Sequence, residues 1–124
     1  QKVHEVPGYH EHRENPDDTL ESQYAPSHVV NLVEGGDLHR LAGTGSVMVN
    51  SLHSQGVARL PTGVTVEAVA DDGLVEAFRV DDMPGFSLAV QWHPEWQVTK
   101  NDFSMAIFRT FGQACREYAG HRQV

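Results

Sequence analysis

Hydrophobic and polar positions alternate most regularly in two runs, residues 64–70 (VTVEAVA) and 74–80 (LVEAFRV), separated by Asp71-Asp72-Gly73. Two such runs across an Asp-Gly turn predict a β-hairpin. Residues 27–34 (SHVVNLVE) predict another strand, stopped by Gly35-Gly36, and residues 37–41 a short helix with Asp37 near its start and Gly43 just past its end. Residues 47–50 predict the end of a strand that runs into the small, polar loop 51–56. Residues 86–92 (FSLAVQW) are apolar enough for a central strand. Phe103, Ile107, Phe111, Ala114, Cys115 and Tyr118 recur at helical spacing, which predicts an amphipathic helix over residues 100–119. Residues 1–26, polar and interrupted by Pro7, Pro16 and Pro26, predict a loop that lies over the rest of the molecule. Strands mixed with one long terminal helix indicate an α/β or α+β fold.

Composition narrows the function classes. The chain has 124 residues, 40% hydrophobic and 21% charged, the make-up of one globular domain. Nine basic residues against 17 acidic ones leave a net charge of −8. That charge opposes phosphate backbones and no Lys/Arg-rich run offsets it, so nucleic-acid binding is not expected. No apolar stretch approaches the roughly 20 residues that span a bilayer. The start is polar and acidic, without a secretory pattern. The single cysteine, Cys115, can form no intrachain disulfide, and a cytoplasmic location is expected. Cys115 falls on the apolar stripe of the last helix, where a buried structural thiol is expected rather than a nucleophile.

Chemistry concentrates in Gln91-Trp92-His93-Pro94-Glu95-Trp96. A strand delivers His93 to its C-terminal end, the edge where active sites of open α/β sheets gather. Pro94 holds the backbone of His93 extended, and residues i and i+2 of an extended segment point the same way, so His93 and Glu95 can meet by local geometry alone. A carboxylate that accepts the imidazole Nδ1–H selects the tautomer and leaves Nε2 free to take a proton from a thiol. Flanking Trp92 and Trp96 can limit water access. A His-x-Glu pair also serves surface and capping roles, so the pattern alone leaves both readings open.

Five segments in order, Gln1-Lys2-Val3-His4, Tyr24-Ala25-Pro26-Ser27-His28, Val49-Asn50-Ser51-Leu52-His53-Ser54-Gln55, Asp72-Gly73-Leu74-Val75-Glu76-Ala77 and Gln91–Trp96, carry a resemblance to class I glutamine amidotransferase-like hydrolases. The resembling branch is that of γ-glutamyl-γ-aminobutyrate hydrolases, of peptidase C26 type. The resemblance implies the C-terminal half of a three-layer α/β/α sandwich, flavodoxin-like, with a mostly parallel central sheet. It implies a Cys-His-Glu triad in which His93 is the general base and Glu95 orients it. It also implies a pocket loop, Asn50, Ser51, His53, Ser54 and Gln55, that holds a small-molecule γ-glutamyl substrate. The family's cysteine sits in a glycine-flanked elbow that these 124 residues lack, so an N-terminal half of the same domain is expected as partner. A homodimer is compatible with the family. Hydrolysis through a thioester requires no metal and no organic cofactor.

Three alternatives keep a place. A glutamine amidotransferase would release ammonia for a synthetase with the same residues. A metal-binding barrel of cupin type is suggested by His10-Glu11-His12 with Glu14, although His-x-His in a polar loop is more simply solvated. A non-catalytic relative of the hydrolases is the third alternative. His28 is expected as a hydrogen-bonded core or edge residue. His4, His39 and His121 are expected in solvent, and Asp71-Asp72-Gly73 is read as turn chemistry.

Overall fold

A computed structural model describes residues 1–122. Its elements are α1 (Leu20–Tyr24), β1 (His28–Leu32), α2 (Asp37–Ala42), β2 (Ser46–Val49), β3 (Val64–Ala70), β4 (Val75–Val80), β5 (Ala89–Val90) and α3 (Asp102–Arg122). The strands form one sheet in the order β2-β1-β3-β4-β5, and every pairing in it is antiparallel. This corrects the expectation of a mostly parallel sheet for the described residues. Parallel neighbours need a crossover of a dozen or more residues. Here β3 and β4 are joined by the tight turn through Gly73, whose φ of 90° suits glycine. The link between β1 and β2, residues 33–45, contains the six-residue α2, closed by Gly43 in the left-handed region, and returns the chain antiparallel beside β1.

Among the described residues the run at 86–92 lies at the edge of the sheet and not at the centre expected for it. Only Ala89 and Val90 pair, both with β4, at the sheet's edge. Its apolar residues are used in packing instead: Leu88, Val90 and Trp92 join Val30, Leu38, Ala68 and Ile107 in the main core. Helices α2 and α3 pack against this cluster. α3 is longer than the sheet it covers: 21 residues rise about 31 Å, whereas strands of two to seven residues reach at most about 24 Å. Phe103 and Ile107 therefore seat on the core, while Phe111 and Tyr118 lie exposed. Cys115 is exposed as well, contrary to the buried thiol expected from the stripe.

Two register shifts set up the polar interior. Between Val66↔Phe78 and Ala68↔Ala77 the residue left over is Glu67; between Ala68↔Ala77 and Val69↔Val75 it is Glu76. A bulge breaks the alternation of faces, so a side chain due for one side turns to the other. Both glutamates are fully buried. Glu67 pairs with Arg79 and accepts from the Leu38 N–H at 2.9 Å, serving the start of α2. Glycine at position 36 makes room, since a Cβ there would lie 2.9 Å from the Glu67 carboxylate.

Residues 1–26 do lie over the molecule, as expected. The strap docks through Val3, which is buried with Ala70 and Leu74, and through backbone bonds from Val3 N to Ser54 O (2.9 Å) and Gly56 N to Gln1 O (2.9 Å). Gly56 allows this approach: a Cβ would stand 2.7 Å from Val3 Cγ2 and 2.9 Å from Leu74 Cδ1. Gly56→Ala is expected to destabilise the protein by about 1–3 kcal/mol through overpacking, measured by urea denaturation. An unchanged midpoint would show that the strap yields without cost. Among the described residues, no helix is long and apolar enough to cross a membrane.

Candidate active site

β5 ends at Val90, and the chain continues through Gln91 N, still bonded to Glu76 O at 2.8 Å, into Trp92 and His93. Trp92 turns inward, 5% exposed, and its indole stacks on Phe103 of α3 at 6.4 Å. The next residue in an extended segment must face the other way. His93 does so, and its backbone is gripped from the end of β2. His93 N donates to Asn50 Oδ1 at 2.7 Å, and Asn50 Nδ2 donates to His93 O at 3.0 Å. One side-chain amide thereby satisfies both backbone groups of the histidine.

Side-chain geometry follows the local prediction. His93 Nδ1 and Glu95 Oε1 are 2.7 Å apart. An ionised carboxylate can only accept, so Nδ1 carries the proton and Nε2 presents its lone pair. Both groups keep partial access to solvent. After Trp96 the backbone reverses at Gln97, which adopts a left-handed φ of 48° and leads into the turn at Val98–Lys100. Glu95 is thus held on a short loop between the Trp92 anchor and that reversal.

His93 lines a cleft of about 280 Å³, with Tyr24, Met48, Asn50, Pro94 and Trp96 among its walls. Tyr24 makes an edge contact with His93 at 5.6 Å and stacks on Trp96 at 4.5 Å. It arrives there on α1, a one-turn helix capped by Thr19, whose Oγ1 accepts from Ser22 N at 3.2 Å. Neither α1 nor the role of Tyr24 was visible in the polar run 1–26. Both tryptophans flanking the histidine border the cleft, Trp96 stacked on Tyr24 and Trp92 from the core side.

The structure divides the expected pocket loop. Asn50 belongs to the His93 cleft. Ser51 and His53 instead join a second, buried cluster behind it, while Ser54 and Gln55 are exposed beside the strap. In that cluster Ser51 Oγ donates to His12 O at 2.7 Å, and His12 Nε2 donates to Asp72 Oδ2 at 2.6 Å. Glu76 Oε1 lies 3.2 Å from His12 Nδ1 and 3.6 Å from both His28 Nε2 and His53 Nε2. Burial pushes the Asp72 and Glu76 carboxyls up, but His12 with the His10 and Leu74 N–H groups at Asp72, and the His12, His53 and His28 imidazoles at Glu76, outweigh it and hold both below the usual carboxylate range. Burial pulls His12 down, and its two carboxylate neighbours overcome that and raise it.

His12 is therefore no solvated loop residue. Its sequence neighbours do not share its fate: His10 is exposed, and Glu11 is held by Arg13, which lowers its carboxyl to about 2. The His10-Glu11-His12-Glu14 grouping does not form a site. Asp72 performs the expected turn chemistry, accepting from Leu74 N at 3.0 Å with Oδ1, and uses Oδ2 for His12 and the His10 N–H. His28 is half-buried, as expected, with Nδ1 on Val29 O at 3.2 Å.

Comparison with known proteins gives the family. Residues 1–95 match the family described as Peptidase C26. The chain is 45% identical over 123 residues to the γ-glutamyl-γ-aminobutyrate hydrolase PuuD of Escherichia coli, covering 98% of this chain and 48% of that protein. It is 35% identical over 80 residues to a Schizosaccharomyces pombe protein named "Putative glutamine amidotransferase PB2B2.05", covering 64% of this chain and 31% of that one. Among solved structures, a "putative gmp synthase subunit a protein" from Thermoplasma acidophilum superposes with a TM-score of 0.61 at 22% identity, over 82% of this chain and 51% of that one. That likeness shows the fold. The chain spans about half the length of the curated relatives it matches. On the match across residues 1–95 and the identity across nearly its whole length, this chain belongs to the peptidase C26 family.

Proposed function

We propose that this chain supplies the general base and its orienting carboxylate to a cysteine-dependent hydrolase of γ-glutamyl amides. The 2.7 Å contact between His93 Nδ1 and Glu95 Oε1, at the edge of a cleft, carries the reading. The thiol comes from polypeptide outside these 124 residues: the one cysteine here, Cys115, lies on α3 with no basic partner among the described hydrogen bonds and ion pairs.

In this mechanism His93 Nε2 takes the thiol proton, and the imidazolium is stabilised by Glu95. The thiolate attacks the γ-carbonyl carbon. As the tetrahedral intermediate collapses, the C–N bond breaks and the amine leaves with the proton from His93. Water, deprotonated by the same nitrogen, then cleaves the thioester to free glutamate and thiol. Asn50 keeps the imidazole at a set height by fixing its backbone. Ser54 and Gln55, exposed on the pocket loop, are assigned to the charged end of the glutamyl group. Ser51 and His53 are occupied by the buried cluster and support that loop from behind.

The relative named for γ-glutamyl-γ-aminobutyrate hydrolysis makes that compound the first substrate to assay in the full-length protein, with glutamine as comparison. Faster release of γ-aminobutyrate than of ammonia is expected. A preference for glutamine that grows with a synthetase present would place the protein among ammonia donors instead. Glu95→Gln retains an acceptor for Nδ1–H but loses the charge that stabilises the imidazolium. It is expected to lower kcat by less than removal of the imidazole does. Equal losses would show that Glu95 does more than orient.

A further inference from the structure

The buried cluster behind the pocket loop has the form of a metal site. We propose that His12 Nδ1, His28 Nε2 and Glu76 Oε1 bind one divalent transition-metal ion of zinc type, with His53 Nε2 beside them as a further donor facing the same carboxylate oxygen, as a structural site separate from the hydrolytic residues.

The outer nitrogens of the three imidazoles argue for it. His12 Nε2 is on the Asp72 carboxylate at 2.6 Å, His28 Nδ1 on Val29 O at 3.2 Å, and His53 Nδ1 on Gln55 O at 2.8 Å. Each partner is an obligate acceptor, so each outer nitrogen carries the hydrogen. In the neutral rings the inner nitrogens are then lone pairs facing the same carboxylate oxygen; a second proton on His12 would serve only its own contact with Glu76 and leave His28 Nε2 and His53 Nε2 without a donor. The neighbouring hydroxyl does not relieve this: the hydrogen of Ser51 is directed to His12 O. His28 Nε2, His53 Nε2 and both Glu76 oxygens are buried without a hydrogen-bond partner. Acceptors converging in a dry interior repel one another unless a cation lies between them. A carboxylate or carbonyl on the far nitrogen is also the arrangement that fixes histidine ligands on metals.

The spacing of His12, His28 and Glu76 suits one ion, and His53 Nε2, 3.6 Å from Glu76 Oε1 but outside their mutual 4.8 Å set, moves inward to complete a tetrahedron. Ligand atoms around a tetrahedral zinc, bound at about 2.0–2.2 Å, lie roughly 3.3–3.6 Å apart. Glu76 Oε1 is 3.2, 3.6 and 3.6 Å from the three nitrogens. The donor atoms of His12, His28 and Glu76 all fall within 4.8 Å of one another. Imidazole and carboxylate donors suit zinc and its first-row neighbours. The site would tie together the strap, β1, the loop after β2 and the bulge of β4. Residue 51 of that loop directly follows the Asn50 that grips His93, so a metal here would stiffen the segment behind the cleft without touching it.

The test uses the full-length protein purified without a histidine tag. Elemental analysis is expected to find close to one equivalent of metal. After chelation, cobalt(II) should produce a visible d–d spectrum of tetrahedral intensity that saturates at one equivalent. Asp72→Asn, which removes the carboxylate behind His12 and also touches the turn bonds from His10 and Leu74, should weaken cobalt binding about 10–100-fold while circular dichroism shows the fold retained. His28→Ala and the isosteric Glu76→Gln, checked for folding by circular dichroism, should weaken it further, whereas His93→Ala should leave it intact. A wild-type protein that neither carries metal nor takes up cobalt overturns the site, leaving an ion-paired cluster centred on His12. So does uptake that His28→Ala and Glu76→Gln leave unchanged, or that His93→Ala abolishes.

Discussion

Replacing His93 by alanine in the full-length protein is expected to reduce kcat by about 10²–10⁴-fold, the usual contribution of a positioned acid–base group. The same nitrogen is asked to act three times: on the thiol, on the leaving amine and on the hydrolytic water. Its immediate neighbours do not replace it: Tyr24 and Trp96 are stacked on each other and Asn50 is committed to the His93 backbone. The fold should survive, since the imidazole is 38% exposed and its only side-chain hydrogen bond is to Glu95. Steady-state kinetics at saturating substrate, with a thermal melt as control, make the measurement. A loss below tenfold would remove His93 from the chemistry, and a large loss with a lowered melting temperature would point to structure instead.

Trp92→Ala is expected to destabilise the protein by about 3–5 kcal/mol, the range for deleting a large core aromatic. A typical domain is stable by only about 5–15 kcal/mol, so this substitution takes much of the total. Trp92 is 5% exposed and belongs to the cluster that joins β1, α2, β3, β4 and α3. Its removal leaves Phe103 without its stacking partner and opens a void directly beneath His93. Two readouts should move together: the urea midpoint and kcat, the second because the histidine loses its anchor. Trp92→Phe, which keeps a ring against Phe103, should recover most of both. A Trp92→Ala protein of wild-type stability would mean that Trp92 is not the anchor of this segment.

Much of the fold was legible because it rests on local rules. The hairpin across Asp71-Asp72-Gly73 and the small helix closed by Gly43 follow from turn and capping chemistry, and both are present. Strand order and direction were not legible. The run 86–92 looks central by apolarity, but apolarity reports burial of side chains and not the number of strand neighbours; its residues are buried by α3 and the main core, at the sheet's edge. Cys115 shows the same limit on a helix. Spacing set the stripe, and the short sheet decided how much of it would be covered.

The candidate site divides along that line. His93 and Glu95 were found from sequence because two residues of an extended segment, stiffened by Pro94, must share a side whatever surrounds them. The sequence therefore determined the pair, its tautomer and its place after a strand. Tertiary structure alone decided that Asn50 grips the histidine, that Tyr24 walls the cleft, and that His12, His28, His53, Asp72 and Glu76 meet in one buried cluster. Those five residues come from a strap, two strands, a loop and a turn, with no spacing to connect them. Glu76 reaches them through a register shift that turns it away from the alternation its strand spells out.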